Sequence, residues 1–392
     1  MHKIVVIGGG YGGLRAIEKL VPIPNVEITL IDRNAFHYMQ TEVYGFIAGT
    51  KDIDELAIDL ESWCEGFSTP VRFISQKVTR IDPENSLVDT GETSIPFDTL
   101  IIATGARTNF PDSIEGLREH SYGVKQLKRA FNFHHRFQRL IEQKLEGDDD
   151  VINIIVAGAG LSGVEVAAEM AYMLQRYKKM IGRRIEKIAI TLIDACETIL
   201  PGLHPFLIAS AEKRLENLDV TLKTSAFIDR VDASFLHLKG GEKLPYTFIV
   251  FTGGIRGVSE FTPENFGKNS IGQLNVTPFL TIEGYDHIFA IGDVANIIDT
   301  YGKPLPPTAQ IAEKSAEYVA KTIDSRLRGK KISPFSAKID GLFIALGGRY
   351  GIAELFGLRF KGMGVYYLKR IITLIYYLGI RLRVNAGYKI RR

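Results

Sequence analysis

Two glycine-rich motifs of identical spacing are the residues most suited to chemistry in this sequence. The first is Gly8-Gly9-Gly10-Tyr11-Gly12-Gly13, and the second is Gly158-Ala159-Gly160-Leu161-Ser162-Gly163. Each follows a short apolar, β-rich run and precedes a segment of helical spacing. Glycines at the first, third and sixth places allow a tight turn, close approach to a pyrophosphate, and close packing of helix on strand. Because the helix N-terminus then faces the phosphates, each motif predicts a dinucleotide site.

An acidic residue follows each glycine motif at the end of the next predicted strand. Asp32 lies 19 residues after Gly13, close to the usual spacing for a carboxylate that binds ribose hydroxyls. Asp194 lies 31 residues after Gly163. A longer helix explains this gap, because residues 162–186 are almost all good helix formers. A carboxylate there favours NADH over NADPH, since it binds a free 2′-hydroxyl and repels a 2′-phosphate.

The elements that must position these motifs occur twice along the chain. Hydrophobic periodicity predicts a β-α-β unit at each motif. The first unit is strand 3–7, helix 14–20 and strand 27–31, and the second is strand 153–157, helix 162–181 and strand 187–193. Further predicted elements are strands 99–103, 248–251 and 288–291, and helices 124–146 and 309–326. This internal repeat, interrupted by the charged run Gly147-Asp148-Asp149-Asp150, predicts two domains.

Length and charge limit the possibilities for the rest of the chain. At 392 residues, with 45% hydrophobic and 24% charged residues, the chain has the composition of a globular protein of two to three domains. Residues 355–392 contain nine Lys or Arg and no Asp or Glu, so the net charge of +3 leaves −6 on the preceding residues. Such a basic tail indicates contact with an anionic surface. The opening MHKIVVIGGG leaves no room for a signal peptide, which predicts a cytoplasmic protein.

The tail over residues 364–383 mixes aromatic, aliphatic and basic side chains. Its longest uncharged stretch is ten residues, 371–380, whereas a helix that spans a membrane needs about 20. The pattern therefore predicts a helix that lies in the interface of an anionic membrane. A dimer-interface helix and a nucleic-acid patch are the alternatives, and the second is disfavoured because no known nucleic-acid module accompanies the tail.

The two cysteines, Cys64 and Cys196, are far apart and have no CxxC partner. They support no metal cluster, disulfide framework or dithiol redox centre. Cys64 falls in a segment that we expect to be a surface helix, and Cys196 follows Asp194. We interpret both as structural thiols.

Four motifs, taken in order, resemble those of the two-dinucleotide-binding flavoproteins. They are the first glycine motif, Thr104-Gly105, Thr252-Gly253-Gly254, and His287-Ile288-Phe289-Ala290-Ile291-Gly292-Asp293. The resemblance covers residues 1–335 and implies an α/β fold of two Rossmann-like domains, with the NADH domain inserted into a discontinuous FAD domain. The expected divisions are 1–110 (FAD domain, first part), 111–150 (helical connector), 151–250 (NADH domain), 251–335 (FAD domain, second part) and 336–392 (membrane-associating region).

The resemblance also implies which residues hold each cofactor. In that family the late Gly-Asp pair offers FAD a carboxylate and a backbone amide. The residues expected to hold FAD are Gly8, Gly10, Tyr11, Gly12, Gly13, Asp32, Arg33, Thr41, Val78, Ala103, Thr104, Gly105, Gly292, Asp293, Ala309 and Gln310. Those expected to hold NADH are Gly158, Gly160, Leu161, Ser162, Gly163, Glu165, Asp194, Gly253 and Gly254.

The cysteine positions exclude two branches of the family. A disulfide reductase needs a CxxxxC pair after the first helix, and a sulfide:quinone reductase needs a cysteine pair that flanks the flavin. What remains resembles the type II NADH dehydrogenases, which are single-subunit NADH:quinone oxidoreductases. The segments that resemble them are His37-Tyr38-Met39-Gln40-Thr41-Glu42, Leu200-Pro201-Gly202, Thr252-Gly253-Gly254-Ile255-Arg256-Gly257 and Pro306-Pro307-Thr308-Ala309-Gln310-Ile311-Ala312.

This second resemblance implies roles for residues near the flavin. Glu165 matches a helix-borne glutamate expected to position the nicotinamide and assist proton delivery to the quinone. A carboxylate on a first helical turn also complements the helix dipole, which is the purely structural interpretation. Gln310 begins a helix beside the isoalloxazine ring at the quinone site. Lys314 replaces the second glutamine of the family pattern and is expected, with Gln310, to contact the quinone. Lys369 and Ile372 are expected at the quinone entrance.

The sequence therefore predicts an FAD-dependent NADH:quinone oxidoreductase that pumps no protons. We expect a homodimer on the cytoplasmic face of the cell membrane, with menaquinone or ubiquinone as its lipid substrate and no nucleic-acid partner. The alternatives are a soluble NADH oxidase or ferredoxin reductase, a signalling flavoprotein, and a sulfide:quinone-reductase-like protein without redox cysteines. The basic, apolar tail counts against a soluble enzyme.

Overall fold

The structure is a computed structural model that describes residues 1–147, 150–181 and 187–390. The predicted boundary at Asp148 and Asp149, and residues 182–186 after the predicted second-unit helix, lie outside this range. The helices are labelled in chain order as α1 (Tyr11–Leu20), α2 (Val43–Ala48), α3 (Leu60–Glu65), α4 (Leu117–His120), α5 (Leu127–Glu146), α6 (Leu161–Ile181), α7 (Pro205–Glu216), α8 (Ala309–Leu327) and α9 (Met363–Ile390).

A six-stranded sheet forms the first domain. Across the sheet the strands run Thr281–Ile282, Tyr285–Ala290, Thr99–Ile102, His2–Ile7, Val26–Asp32 and Val71–Ser75. Neighbours pair in parallel except for the first two. All four residues of Thr99–Ile102 are buried, as expected for a strand covered on both faces. Because Tyr285–Ala290 pairs with this strand, the predicted discontinuity of the domain is confirmed.

A five-stranded parallel sheet forms the second domain. Its order is Ser121–Gly123, Phe248–Phe251, Ile152–Ala157, Ile188–Ile193 and Val220–Lys223. In each domain the chain runs from a central strand through a glycine turn and a helix to the adjacent parallel strand. The predicted repeat of the β-α-β unit is therefore confirmed. The segment 111–150 contributes a strand to this sheet as well as α4 and α5.

Smaller pairings connect and flank the two domains. Ala106–Thr108 pairs with Ile255–Gly257, so two antiparallel segments cross between the domains. The other small antiparallel sheets are Arg80–Asp82 with Leu87–Asp89 and Ser94–Pro96, Ile228–Val231 with Phe235–Leu238 and Lys243–Pro245, and Phe36–Tyr38 with Ala57–Asp59. Leu274–Asn275 pairs in parallel with Ala295–Asn296.

The chain continues into a three-stranded antiparallel sheet and then α9. The strands are Gly341–Ala345, Gly351–Leu355 and Leu358–Gly362. Exposed apolar side chains cover the last hairpin and one side of α9, and we call this set the apolar face. It comprises Phe356, Leu358, Phe360, Met363, Tyr367, Leu368, Ile371, Ile372, Leu374, Ile375, Leu378 and Leu382. Over the described ranges, no helix combines the length and the hydropathy needed to span a bilayer.

The opposite side of α9 packs closely on α3 of the first domain. A Cβ atom at Gly387 would come within 1.9 Å of the Ser62 carbonyl oxygen, and one at Gly66 would come within 2.1 Å of the Arg383 carbonyl oxygen. Ile380 of α9 is buried in the core of the first domain. The C-terminal helix is therefore part of that core as well as a surface element.

This packing corrects the expected surface position of Cys64 but agrees with its interpretation as a structural thiol. Cys64 lies in α3 beneath α9 with only 1% of its surface exposed, so α3 is not a surface helix. Burial raises the pKa of the Cys64 thiol to about 12, which makes it an inert core residue. Cys196 is exposed, so it has no packing role of the predicted kind.

Candidate functional site

A cleft of about 1180 Å³ extends from the first glycine motif to α9. The carboxyl ends of the first-domain strands, the first turns of α6 and α8, and α9 line it. Predicted FAD residues in its walls are Gly8, Gly10, Tyr11, Gly12, Asp32, Arg33, Thr41, Val78, Ala103, Thr104, Gly105, Gly292, Asp293, Ala309 and Gln310. Predicted NADH and quinone residues in its walls are Leu161, Ser162, Glu165, Lys369 and Ile372.

The first glycine motif has the shape that a bound pyrophosphate requires. Gly8 has a φ of +109°, and a Cβ there would meet the Ala103 oxygen at 2.4 Å. A Cβ at Gly13 would meet the Gly8 oxygen at 1.8 Å, so this glycine packs behind the turn and lies outside the cleft. A Cβ at Gly10 would meet nothing within 4 Å, and no side chain caps the N-terminus of α1, which follows Gly10. The free amides of α1 therefore face the open cleft, which fits a dinucleotide phosphate.

The second glycine motif repeats this geometry. Gly158 has a φ of +110°, and a Cβ there would meet the Gly253 nitrogen at 2.7 Å. A Cβ at Gly163 would meet the Gly158 oxygen at 1.8 Å, and Gly160 again faces open space. The main cleft does not include Gly158, Gly160, Gly163, Asp194, Gly253 or Gly254. They lie at the carboxyl ends of three strands of the second sheet, outside the cleft, whereas Leu161 and Ser162 of the same glycine motif line it.

Asp32 and Asp194 hold the two glycine turns in the same way. One oxygen of Asp32 accepts from Gly9 N–H at 2.7 Å, and the other accepts from Asn34 N–H at 2.7 Å. Asp194 accepts from the N–H groups of Ala159 and Cys196. Asp32 Oδ1 also accepts from the Asn34 side-chain amide at 3.2 Å, so Oδ2 is the Asp32 oxygen that retains a lone pair for a ribose hydroxyl. Despite the longer sequence separation between Gly163 and Asp194, Asp194 therefore occupies the same place in the second domain as Asp32 does in the first.

Asp293 lies in a single 3₁₀ turn after the strand Tyr285–Ala290. Its carboxylate pairs with Lys125 at 3.2 Å, so a residue from the connecting segment faces the predicted flavin site. The Gly292 N–H already donates to Ser315 Oγ at 3.2 Å. The backbone N–H that this Gly-Asp pair is expected to offer FAD is therefore that of Asp293.

Gln310 and Lys314 lie on consecutive turns of α8 and both contact Asp340. Gln310 Oε1 accepts from the Asp340 N–H at 2.7 Å, which leaves the Gln310 amide NH₂ group as a donor in the cleft. The Lys314 ammonium donates to the Lys338 carbonyl oxygen and pairs with Asp340 at 2.8 Å. Lys314 does not line the cleft, so its expected quinone contact stays a prediction that this arrangement does not favour.

Glu165 joins three elements at the inner end of the cleft. Its carboxylate on α6 accepts from the Ala345 N–H at 2.9 Å and forms an ion pair with Lys369 of α9. Burial raises the pKa of Glu165, and the Lys369 ammonium opposes that rise. The Lys369 ammonium also lies 4.7 Å from the centre of the Tyr44 ring. A buried carboxylate paired with an ammonium group in the cleft is an arrangement suited to proton transfer.

Several polar residues of this region escaped the sequence-based prediction. His37 is fully buried, and its ring contacts Gly9 and Tyr376. Glu42 accepts from Thr373 Oγ1 at 3.1 Å, across 331 residues of sequence. His37 and Glu42 lie in a segment that resembles the family, but that resemblance does not signal these contacts, because Tyr376 and Thr373 meet them only when α9 folds against the first domain. Neither Cys64 nor Cys196 lines the cleft, so the site offers no redox thiol.

Comparisons with known proteins agree with this geometry. The family described as pyridine nucleotide-disulphide oxidoreductase matches residues 2–316. A type II NADH:quinone oxidoreductase from Staphylococcus aureus is 31% identical over 390 residues, which cover 94% of each chain.

Two solved structures share the fold at low sequence identity. NDH2 from Plasmodium falciparum, in complex with NADH, gives a TM-score of 0.87 at 18% identity, with 99% of this chain and 97% of that chain covered. The sulfide:quinone oxidoreductase from Aquifex aeolicus gives 0.83 at 19% identity, with 98% and 92% covered.

The comparisons confirm the family resemblance of the sequence motifs. Membership makes the chain an NADH-dependent flavoprotein oxidoreductase with FAD and NAD(H) as its cofactors. The glycine turns and the free amides of α1 fit that cofactor pair. The chain therefore belongs to the type II NADH:quinone oxidoreductases of the pyridine nucleotide-disulphide oxidoreductase family.

Proposed function

We propose that this chain transfers electrons from NADH to a lipid quinone while it is bound to a membrane surface through α9. The observation that carries the proposal is the convergence of Glu165, Gln310 and Lys369 on one cleft. These residues come from the second domain, the second part of the first domain and the C-terminal helix. The cleft also reaches Ile372, which belongs to the exposed apolar face.

The chain's own residues bind, orient and supply a proton. The two glycine turns hold the pyrophosphates, and Asp32 and Asp194 accept from ribose hydroxyls. When bound, FAD supplies the two-electron chemistry between NADH and quinone. The Gln310 amide NH₂ group is a donor suited to a quinone carbonyl, and the Glu165–Lys369 pair holds a proton close by. The net reaction is NADH + H⁺ + quinone → NAD⁺ + quinol.

The apolar face and the basic residues of α9 support the membrane part of the proposal. Exposed aliphatic and aromatic side chains beside Arg370 and Lys361 suit burial at the headgroup boundary of an anionic leaflet. A homodimer and the cytoplasmic face belong to the same proposal. Menaquinone and ubiquinone both offer the carbonyl acceptor that Gln310 would contact.

The test separates the two half-reactions. Under anaerobic conditions, NADH should bleach the bound flavin, and a quinone analogue added afterwards should restore the oxidised spectrum rapidly. A long-lived reduced or charge-transfer spectrum after quinone addition would instead indicate a signalling flavoprotein. Rapid reoxidation by oxygen with none by quinone would indicate an NADH oxidase.

A further inference from the structure

A second cavity, of about 610 Å³, lies behind the Glu165–Lys369 pair. Residues of α2, α6 and α9 and the turns at 50–51 and 348–349 line it. It shares Glu42, Tyr44, Lys369 and Thr373 with the main cleft. Lys369 thus lies between the two spaces, with its ammonium on the Glu165 carboxylate. This cavity is large enough and polar enough to hold water.

Two buried carboxylates face the second cavity. Glu169 lies one turn after Glu165 on α6 and accepts from the Gly348 N–H at 3.2 Å and from Thr50 Oγ1 at 3.3 Å. Glu42 is only 3% exposed and pairs with Lys51 at 2.5 Å. Burial raises the pKa of Glu169, and the neighbouring Glu165 raises it further. A carboxyl group in this setting can hold a proton closer to neutral pH than an exposed one.

The mouth of the second cavity is open to water and positively charged. Arg176, Arg349 and Arg370 line it, and all three are exposed. The interior therefore connects solvent to Lys369 by a path separate from the main cleft. The main cleft, by contrast, must hold FAD, the nicotinamide and the quinone, and its outer end reaches the apolar face.

We propose that the second cavity is the inlet through which protons from water reach the Glu165–Lys369 pair, with Glu169 as the carboxyl group that relays them. The inference rests on the proposed quinone reduction. That reaction consumes one proton from solvent per turnover in addition to the hydrogen of NADH. With the cleft filled and its outer end facing lipid, the proton needs a second route.

The relay balances in three steps. The Lys369–Glu165 pair gives a proton to one quinone oxygen, which forms one O–H bond. With FAD bound, the two electrons would reach the quinone together with the hydrogen taken from NADH, which would form the second O–H bond and complete the quinol. The Glu169 carboxyl then returns a proton to the pair through cavity water. The Glu169 carboxylate finally takes a proton from water at the mouth of the cavity.

The charge around Glu169 determines the pH at which it can act. The tyrosines that face it are Tyr44, Tyr172 and Tyr366, and the charged groups are Glu42, Lys51, Glu165, Arg214 and Lys369 together with the three arginines of the mouth. The cations favour the charged carboxylate, whereas burial and the other carboxylates favour the protonated form. Glu169 is a positioning and relay residue, because it does not touch the main cleft.

The test is stopped-flow kinetics of the membrane-bound holoenzyme carrying Glu169→Gln. This change keeps an acceptor for the Gly348 N–H and removes the titrating proton. Flavin reoxidation by a quinone analogue should slow by roughly 10- to 100-fold at pH 8. The loss should shrink towards pH 6, and the solvent deuterium isotope effect on reoxidation should increase. Flavin reduction by NADH, and turnover with ferricyanide, which takes up no proton, should stay unchanged.

Two further variants keep the result interpretable. Glu169→Asp retains a carboxyl group and should restore most of the reoxidation rate, and Glu216→Gln on the exposed face of α7 should behave as the unaltered enzyme. The proposed proton inlet is contradicted if the flavin of Glu169→Gln is reoxidised at the unaltered rate at every pH with the same isotope effect. It is also contradicted if flavin reoxidation in Glu169→Asp is as slow as in Glu169→Gln. If quinone fails to reoxidise the unaltered enzyme, the proposed function itself fails.

Discussion

Tyr376 on α9 donates a hydrogen bond to Nε2 of His37 at 3.2 Å, and His37 Nδ1 donates to the Gly9 carbonyl at 2.9 Å. One neutral imidazole therefore connects the C-terminal helix to the first glycine turn. Tyr376 and Tyr11 also pack ring to ring, with centroids 5.2 Å apart. The helix that we propose to contact lipid is thus in direct contact with the loop that we propose to hold the FAD pyrophosphate.

This connection predicts sensitivity to acid. Burial lowers the pKa of His37 from 6.5 to about 4, so the unfolded chain binds more protons than the folded protein between these values. The His37 contribution is fully present above pH 6.5 and is lost as the pH falls towards 4, by ~3 kcal/mol for the whole shift. Melting temperatures measured from pH 8 to 4 should fall more steeply for the unaltered protein than for His37→Gln. If the melting temperatures of the two proteins fell equally with pH, a buried, neutral His37 would be contradicted.

A second prediction concerns nucleotide choice. Asp194→Asn should raise the KM for NADH and reduce the preference for NADH over NADPH, because the repulsion of a 2′-phosphate is lost. Asparagine keeps an oxygen that can accept from Ala159 N–H or Cys196 N–H, so the glycine turn is disturbed less than by Asp194→Ser. Steady-state kinetics with both nucleotides measure the ratio, which should stay unchanged in the control Asp219→Asn. An unchanged ratio in Asp194→Asn would refute its assignment to the ribose.

The third prediction separates a direct quinone contact from an indirect one. Gln310→Met removes the amide donor and should slow flavin reoxidation by quinone about tenfold, with flavin reduction by NADH nearly unchanged. Lys314→Met removes the contacts with Asp340 and with the Lys338 carbonyl oxygen and should have a smaller effect in the same direction. Stopped-flow traces report both half-reactions. Equal slowing of both by Gln310→Met would mean that the flavin itself is disturbed, and a larger effect of Lys314→Met would favour its direct contact with quinone.

The fold could be predicted from the sequence because its determinants are local. Glycine spacing, β-branched runs and helical periodicity lie within each β-α-β unit, so α6 (Leu161–Ile181) and α8 (Ala309–Leu327) begin within a residue of the expected positions. The helix expected over 124–146 begins later, at Leu127, because the chain first completes Ser121–Gly123 of the second sheet.

The remaining parts of the site depend on contacts between distant segments. His37 and Tyr376 are 339 residues apart in sequence, and they meet because α9 packs on α3. For the same reason amphipathic spacing could not reveal that Cys64 is covered. The replacement of a glutamine by Lys314 is explained only by Asp340, which the chain brings beside α8 after an irregular segment.

The last prediction tests membrane attachment without damage to the core. Deletion of α9 would also remove buried Ile380 and the contact of Tyr376 with His37, and so would disturb FAD binding. Ile375 and Leu382 are instead 66% and 70% exposed on the apolar face. In the double variant Ile375→Asp, Leu382→Asp, the free energy of binding to the membrane interface should weaken by about 1.5 to 3 kcal/mol per side chain, because the apolar burial is lost. Most of the protein should then stay in the supernatant after sedimentation with anionic vesicles.

The matched control is Phe227→Asp, which changes an exposed aromatic residue on the second domain, away from α9. It should sediment like the unaltered protein. In the double variant, turnover with lipid quinone should fall further than turnover with ferricyanide, because ferricyanide arrives from water. Higher salt should weaken attachment of the unaltered protein without abolishing it, since screening reduces the charge contribution and leaves the apolar one. If the double variant sediments as fully as the unaltered protein, the apolar face does not bind the membrane, and contact with a second subunit becomes its better explanation.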